Sequence, residues 1–176
     1  GQSVALVSDA GTPGISDPGS RLVREAIARD IPVVVLPGPG AVVAALVVSG
    51  LDTRRFVFEG FLPRDHRGRR RVLRRLAQEE RTMVFFEAPH RLQDTLADML
   101  AAWGDRRCAL VRELTKVFEE VLRTTLSQLR AEVTQRPRPG EMVLVVEGNP
   151  SIDRRDAEPA SDDQDEAGQS AEGRGL

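Results

Sequence analysis

The stretch richest in chemical possibility is Ser8-Asp9-Ala10-Gly11-Thr12-Pro13-Gly14-Ile15-Ser16-Asp17-Pro18-Gly19, which follows an apolar run and precedes a helical pattern. A strand-to-helix connection usually needs ~2 to 6 residues, so a loop this long and stiff points to a ligand more than to a turn. Glycines let a backbone approach a ligand closely, and prolines hold the loop in one shape. The same composition returns at Leu36-Pro37-Gly38-Pro39-Gly40, again ahead of an apolar helix. In open α/β sheets ligands lie beyond the carboxyl ends of strands, so two such loops would wall one crevice. No G-x-x-x-x-G-K-[ST] and no G-x-G-x-x-G occurs, which takes support from nucleoside triphosphates and Rossmann dinucleotides.

Groups able to move a proton or meet an anion lie further on. Arg112, Glu113 and Lys116 follow an apolar run at residues 109–111 and would stand at a strand end, with no obvious local partner for Glu113 or Lys116. A carboxylate or neutral imidazole within hydrogen-bond reach of a hydroxyl could take its proton, which makes Glu113 and His90 candidates. The plainer alternatives are a charged surface cluster and a histidine that caps or is solvated at a helix start. Residues 64–75 carry seven Arg in twelve positions. As a helix they put Arg67, Arg70, Arg71 and Arg74 on one side, with no acid at matching i+4 positions, and Val72, Leu73 and Leu76 on another. A guanidinium stripe suits a phosphate backbone, although an Arg-rich proteome would also produce one. No Tyr, Phe or Trp is interleaved, so backbone contact is expected rather than base stacking. Glu119 and Glu120 read as a solvated face, Cys108 and Trp103 as core, and Ser16 as a helix cap.

The elements that must position these groups alternate. Apolar runs at residues 4–8, 32–36, 56–59, 82–87, 108–113 and 141–147 read as strands. Most are near-continuous in hydrophobicity, as strands covered on both faces are. Helical spacing covers a segment begun by Ser16-Asp17-Pro18, then residues 41–49, 66–80, 90–103 and 125–135. Alternation of this kind defines an α/β class. It pauses at residues 50–55, which divides a first domain at 1–55 from a second at 56–148.

The chain has 176 residues and a net charge of -2, of which residues 151–176 contribute -5 from eight acids and three Arg. That leaves +3 on a mildly basic folded part and an acidic tail, 149–176, too polar to offset its chain entropy. A single cysteine excludes an internal disulfide and a multi-Cys zinc site, so no metal is expected and a reducing, cytoplasmic home is. The longest apolar run, residues 41–48, is far short of the ~20 residues of a membrane helix. The chain enters its first apolar run at once after Gly1-Gln2-Ser3, without Met, which reads as N-terminal truncation.

Taken in order and spacing, residues 7–19, Leu36-Pro37-Gly38-Pro39, Phe58-Glu59-Gly60-Phe61-Leu62-Pro63, Glu87-Ala88-Pro89-His90-Arg91 and Arg112-Glu113-Leu114-Thr115-Lys116 resemble the ribosomal-RNA-modifying branch of the tetrapyrrole methylase superfamily. The resemblance runs from Val4 to about Gly148. It implies a two-domain tetrapyrrole-methylase-like α/β fold with the first domain incomplete. It also implies S-adenosylmethionine-dependent 2′-O-methylation of a cytidine ribose in 16S ribosomal RNA of the 30S subunit, by a cytoplasmic homodimer. On this footing Asp9, Gly11, Thr12, Pro13, Ile15 and Gly38 would meet the cofactor. Glu113, Lys116 and His90 would serve the chemistry, and Arg67, Arg70, Arg71, Arg74, Arg91 and Arg112 would meet RNA. The rivals are a porphyrin or corrin methylase of the same superfamily and an inactive fragment that binds RNA or dimerises.

Overall fold

In the computed structural model the described residues are 2–9 and 11–150. The acidic tail lies, from residue 151, outside them. Five strands form one mixed sheet: β1 (Phe56–Phe61), β2 (Thr82–Glu87), β3 (Arg107–Arg112), β4 (Glu120–Thr125) and β5 (Met142–Val146), in spatial order β1-β2-β5-β3-β4. β1 and β2 are parallel, while β5 runs antiparallel to both β2 and β3, and β4 antiparallel to β3. The carboxyl ends of β1, β2 and β3 therefore share one edge with the amino ends of β4 and β5.

The central strands read as unbroken apolar runs because both faces are covered. On one face Met83, Phe85, Cys108, Leu110, Leu144 and Val146 pack beneath α3 (His66–Arg75), α4 (Pro89–Trp103) and α5 (Leu126–Gln135). On the other, Val84, Ala109, Val111, Val143 and Val145 meet Ala45 and Leu46 of α2 (Ala41–Ser49). This helix precedes the boundary expected after residue 55, yet it rests on the same sheet. Trp103 leans on the core and donates from its indole N–H to the Leu73 carbonyl at 2.8 Å. Cys108 is a core residue, 2% exposed.

Three expectations need correction. Residues 4–8 and 32–36 form no ladder, and Val4, Val7, Val34, Val35 and Leu36 stand 72 to 83% exposed. No described strand lies alongside to complete their backbone pairing. α1 (Ser20–Ile27) begins after Gly19, not at a Ser16 cap; Ser16 instead takes a left-handed φ of 58° inside the loop. β4 was hidden because it is a half-buried edge strand, Glu120-Val121-Leu122-Arg123-Thr124-Thr125, with only two strongly apolar side chains. Among the described residues no helix is long and apolar enough to cross a membrane.

Candidate functional site

Both Gly/Pro loops reach the shared sheet edge and touch each other. The Thr12 hydroxyl donates to the Pro39 carbonyl at 3.1 Å, and the Ser8 hydroxyl to the Gly11 carbonyl at 3.3 Å. Gly11 and Gly14 hold φ of 71° and 85°, conformations that L side chains rarely adopt. A Cβ at Gly14 or Gly40 would meet no atom within 4 Å, whereas one at Gly11 or Gly38 would meet only the opposite loop. The backbone at these glycines is thus left uncovered by side chains. Asp9, Gly11, Ile15 and Gly38 are exposed, and Thr12 and Pro13 half-buried. The first loop also meets the sheet, because a Cβ at Gly60 in β1 would stand 3.3 Å from the Ser16 hydroxyl oxygen.

At the end of β3 the expectation that Glu113 and Lys116 lack a local partner is overturned: they face each other three residues apart, and Glu141 joins them from across the sheet. Glu113 accepts from the Glu141 backbone N–H at 2.7 Å and faces Lys116 Nζ at 3.4 Å, while Lys116 donates to Glu141 at 2.8 Å. Gly140, at φ 105°, leaves the space that the Glu113 carboxylate fills. The Glu141 amide, then Lys116, hold the Glu113 carboxyl below its ordinary range. Glu141 and Glu113 in turn raise the Lys116 ammonium. Glu113 is therefore a weaker base than a free carboxylate, and Lys116 a permanent, half-exposed cation. His90 sits exposed in the first turn of α4.

The arginines divide. Arg67, Arg70, Arg71 and Arg74 line the exposed side of α3. The stripe is not wholly without an acid, since buried Asp98 of α4 lies 3.8 Å from Arg70, 3.1 Å from His66 and 2.7 Å from buried Arg69. Arg91 and Arg112, expected at RNA, make bonds within the protein. The Arg91 guanidinium donates to the Leu62 and Pro63 carbonyls at 2.8 and 3.1 Å, and that of Arg112 reaches Glu120 and the Pro139 carbonyl, each at 3.0 Å. Glu120 is thereby no solvated residue: burial raises its pKa, but Arg138 and Arg112 outweigh this and lower it. Of the residues to which sequence reasoning gave no role, Glu87 ends a strand while Arg91 lies in the next helix, so helical spacing did not mark their pairing. Asp98, Arg138 and Glu141 had no signal either, being paired across the fold. Among the described residues no cluster of three or more His, Cys, Asp or Glu is placed to hold a metal ion.

A mixed sheet covered on both faces, with a glycine-rich loop resting on the carboxyl-end half of β1, is an α/β architecture of the class in which ligands lie beyond strand carboxyl ends. The chain belongs to the Tetrapyrrole (Corrin/Porphyrin) Methylases, whose family profile matches residues 1–130. It is 53% identical over 151 residues to Ribosomal RNA small subunit methyltransferase I of Xylella fastidiosa, covering 84% of this chain and 55% of that protein. To the protein of the same name from Synechocystis it is 51% identical, covering 88% of this chain and 56% of the relative. The chain thus spans about half the length of the curated relatives it matches. Uroporphyrin-III C-methyl transferase from Thermus thermophilus, solved with S-adenyl homocysteine, shares the fold at a TM-score of 0.54 and 23% identity, covering 77% of this chain and 62% of that one.

Proposed function

We propose that this chain forms part of an S-adenosylmethionine-dependent methyltransferase that acts on a cytidine ribose 2′-oxygen of 16S ribosomal RNA in the 30S subunit, as a cytoplasmic homodimer. The observation that carries the reading is the junction of the two Gly/Pro loops at Thr12 and Pro39, over the sheet edge that also presents Lys116. A Cβ at Gly14 or Gly40 would meet nothing within 4 Å, which leaves their backbone accessible to a cofactor held mainly by backbone groups. Asp9, Gly11, Thr12, Pro13, Ile15 and Gly38 would hold it. When bound, the cofactor supplies an electrophilic methyl group on a sulfonium.

The chain's own contribution is orientation. A methyl transfer needs in-line approach of the acceptor oxygen, so positioning supplies more of the rate than any single acid or base. Lys116, fixed by Glu113 and Glu141, would attract an RNA phosphate, with Glu113 as its anchor. His90, exposed beside the same edge, is the better candidate to accept the ribose proton. The stripe Arg67, Arg70, Arg71 and Arg74 would track the phosphate backbone. The names of relatives at about 50% identity support ribosomal RNA over a tetrapyrrole as the acceptor.

The test uses this chain and a chimera that joins it to the portion of the Xylella fastidiosa relative it does not match. Isothermal titration with S-adenosylmethionine is expected to show binding by the chimera, and labelled methyl should pass to 30S subunits but not to a porphyrinogen. Absence of cofactor binding by both proteins overturns the reading, and transfer to the porphyrinogen alone replaces it with the tetrapyrrole alternative.

A further inference from the structure

Glu87 closes β2 with its side chain only 1% exposed, and burying a carboxylate is costly unless it is paired and hydrogen-bonded. The cost is offset locally. Oε1 accepts from the Ala88 backbone N–H at 2.8 Å, and Oε2 from the hydroxyl of fully buried Thr95 at 2.6 Å. Arg91 Nε stands 3.4 Å from Oε1, with the Arg91 side chain 13% exposed.

The guanidinium, however, is not arranged for the best contact with Glu87. Its Nε is buried without a hydrogen-bond partner, while Nη2 reaches the Leu62 and Pro63 carbonyls of the turn that joins β1 to α3. Immediately before that turn, β1 shifts register between Phe58 and Gly60. Gly60 has φ 65° and lies against Ser16, itself at φ 58°, in the first Gly/Pro loop. A continuous series of contacts therefore runs from Thr95 through Glu87 and Arg91 to the turn, and from the turn's base to the loop.

Stability alone does not account for this arrangement. Replacing a buried ion pair by apolar residues of similar volume is often neutral or stabilising, so a buried pair that leaves one donor unsatisfied calls for another reason. We infer that Glu87 and Arg91 are positioning residues: together they lock the turn at residues 61–63 so that the loop at residues 11–19 keeps its ligand-facing shape. The inference rests on the proposed function for the loop's ligand, but the locking itself does not.

The experiment separates the two. Backbone order parameters of the 15N-labelled chain are compared for wild type, Arg91→Met, Arg91→Lys and Glu87→Gln, and S-adenosylmethionine affinity is measured in the matching chimeras. Arg91→Met is expected to take residues 11–19 and 60–63 from order parameters near ~0.85 toward ~0.6, with β3 and β5 unchanged. Loss of two bonds from a charged donor should weaken cofactor binding by about tenfold or more. Lysine, with a single ammonium in place of the fork, should rescue in part. Glu87→Gln should loosen the same residues less. Unchanged order in both segments of Arg91→Met overturns the inference, as does a loss of order spread evenly over the sheet, which marks a purely structural role. If wild-type chimera binds no cofactor, the proposed function fails while the order parameters still decide the latch.

Discussion

Asp98→Asn is the most informative single perturbation of the fold. Asp98 and Arg69 have side chains only 7% and 6% exposed and meet at 2.7 Å between α4 and α3. Breaking such a buried pair by neutralising one partner typically costs about 3–5 kcal/mol, because a charge is left uncompensated in the interior. Asn retains an acceptor for the Arg69 Nε–H, so the low end, about 3 kcal/mol, is expected for it, and Asp98→Leu should approach 5. At roughly 2–4 °C per kcal/mol, the melting temperature falls by about 6 °C or more. The double variant Arg69→Met/Asp98→Leu removes both charges and should lie within about 1 kcal/mol of wild type or above it. Urea unfolding followed by far-ultraviolet circular dichroism and by fluorescence of the only tryptophan, Trp103, gives the free energies and checks two-state behaviour. A loss below about 1 kcal/mol for Asp98→Asn, or a double variant as unstable as the sum of the singles, would refute the argument that an unpaired charge sets the cost.

Four further outcomes are expected. Replacing Arg70, Arg71 and Arg74 together with Glu in the chimera should weaken RNA binding and flatten its log-log salt dependence by roughly one unit per lost phosphate contact, with cofactor affinity unchanged; an unaltered slope returns the stripe to an ordinary solvated face. Glu79, held by Arg81 at a pKa of about 2 against an ordinary 4.5, contributes stability that is complete above 4.5 and lost as pH falls toward 2. Glu79→Gln should thus cost at most about 1 kcal/mol at pH 7, after allowance for screening, and nothing in strong acid; an equal deficit at both pH values contradicts this. Burial pushes the Cys108 thiol up to about 12, so the native protein should resist thiol reagents at pH 8 and react fully once unfolded, and stoichiometric native labelling would show the strand open. Thr115→Gly, at a position with φ 65°, should raise stability by about 1 kcal/mol and weaken RNA binding; stabilisation with full RNA affinity would mean that the strain serves nothing.

Much of the frame was legible where the local pattern and the burial agree. Residues 41–49 and 82–87 are the helix and strand their apolar content implies; the strand is covered on both faces, whereas the helix buries Ala45 and Leu46 and leaves Val43 and Val47 exposed. The failures have physical causes. β4 satisfies its backbone on one side only and has no need of a continuous apolar face. Residues 4–8 and 32–36 carry the composition of central strands, but composition supplies no neighbour to pair with. The two Gly/Pro loops could be found because glycine and proline announce backbone geometry directly. The charged groups could not be sorted, because Lys116 finds Glu141 at a separation of 25 residues and Arg91 finds the Leu62 carbonyl at 29. Spacing of that length leaves no trace in helical or strand periodicity.

Backbone conformation gives an independent reason to place the chemistry at this edge. Gly50, at φ 73°, ends a helix, where a left-handed residue satisfies terminal carbonyls and needs no functional account. That explanation does not reach Ser16, Glu113 or Thr115, which hold φ of 58°, 48° and 65° in loops that bear on the shared edge. Non-glycine residues in this region cost of order 1–3 kcal/mol each and persist only where their surroundings enforce them. Here the enforcing contacts are on view: Glu113 is pinned by the Glu141 amide, the Thr115 N–H by the Glu119 carboxylate, and Ser16 lies against Gly60. A sheet edge needing only stable turns would replace such residues by glycine at little cost. Holding these residues in place fixes the shape of the loops, as the proposed function requires of a site set before its ligand arrives.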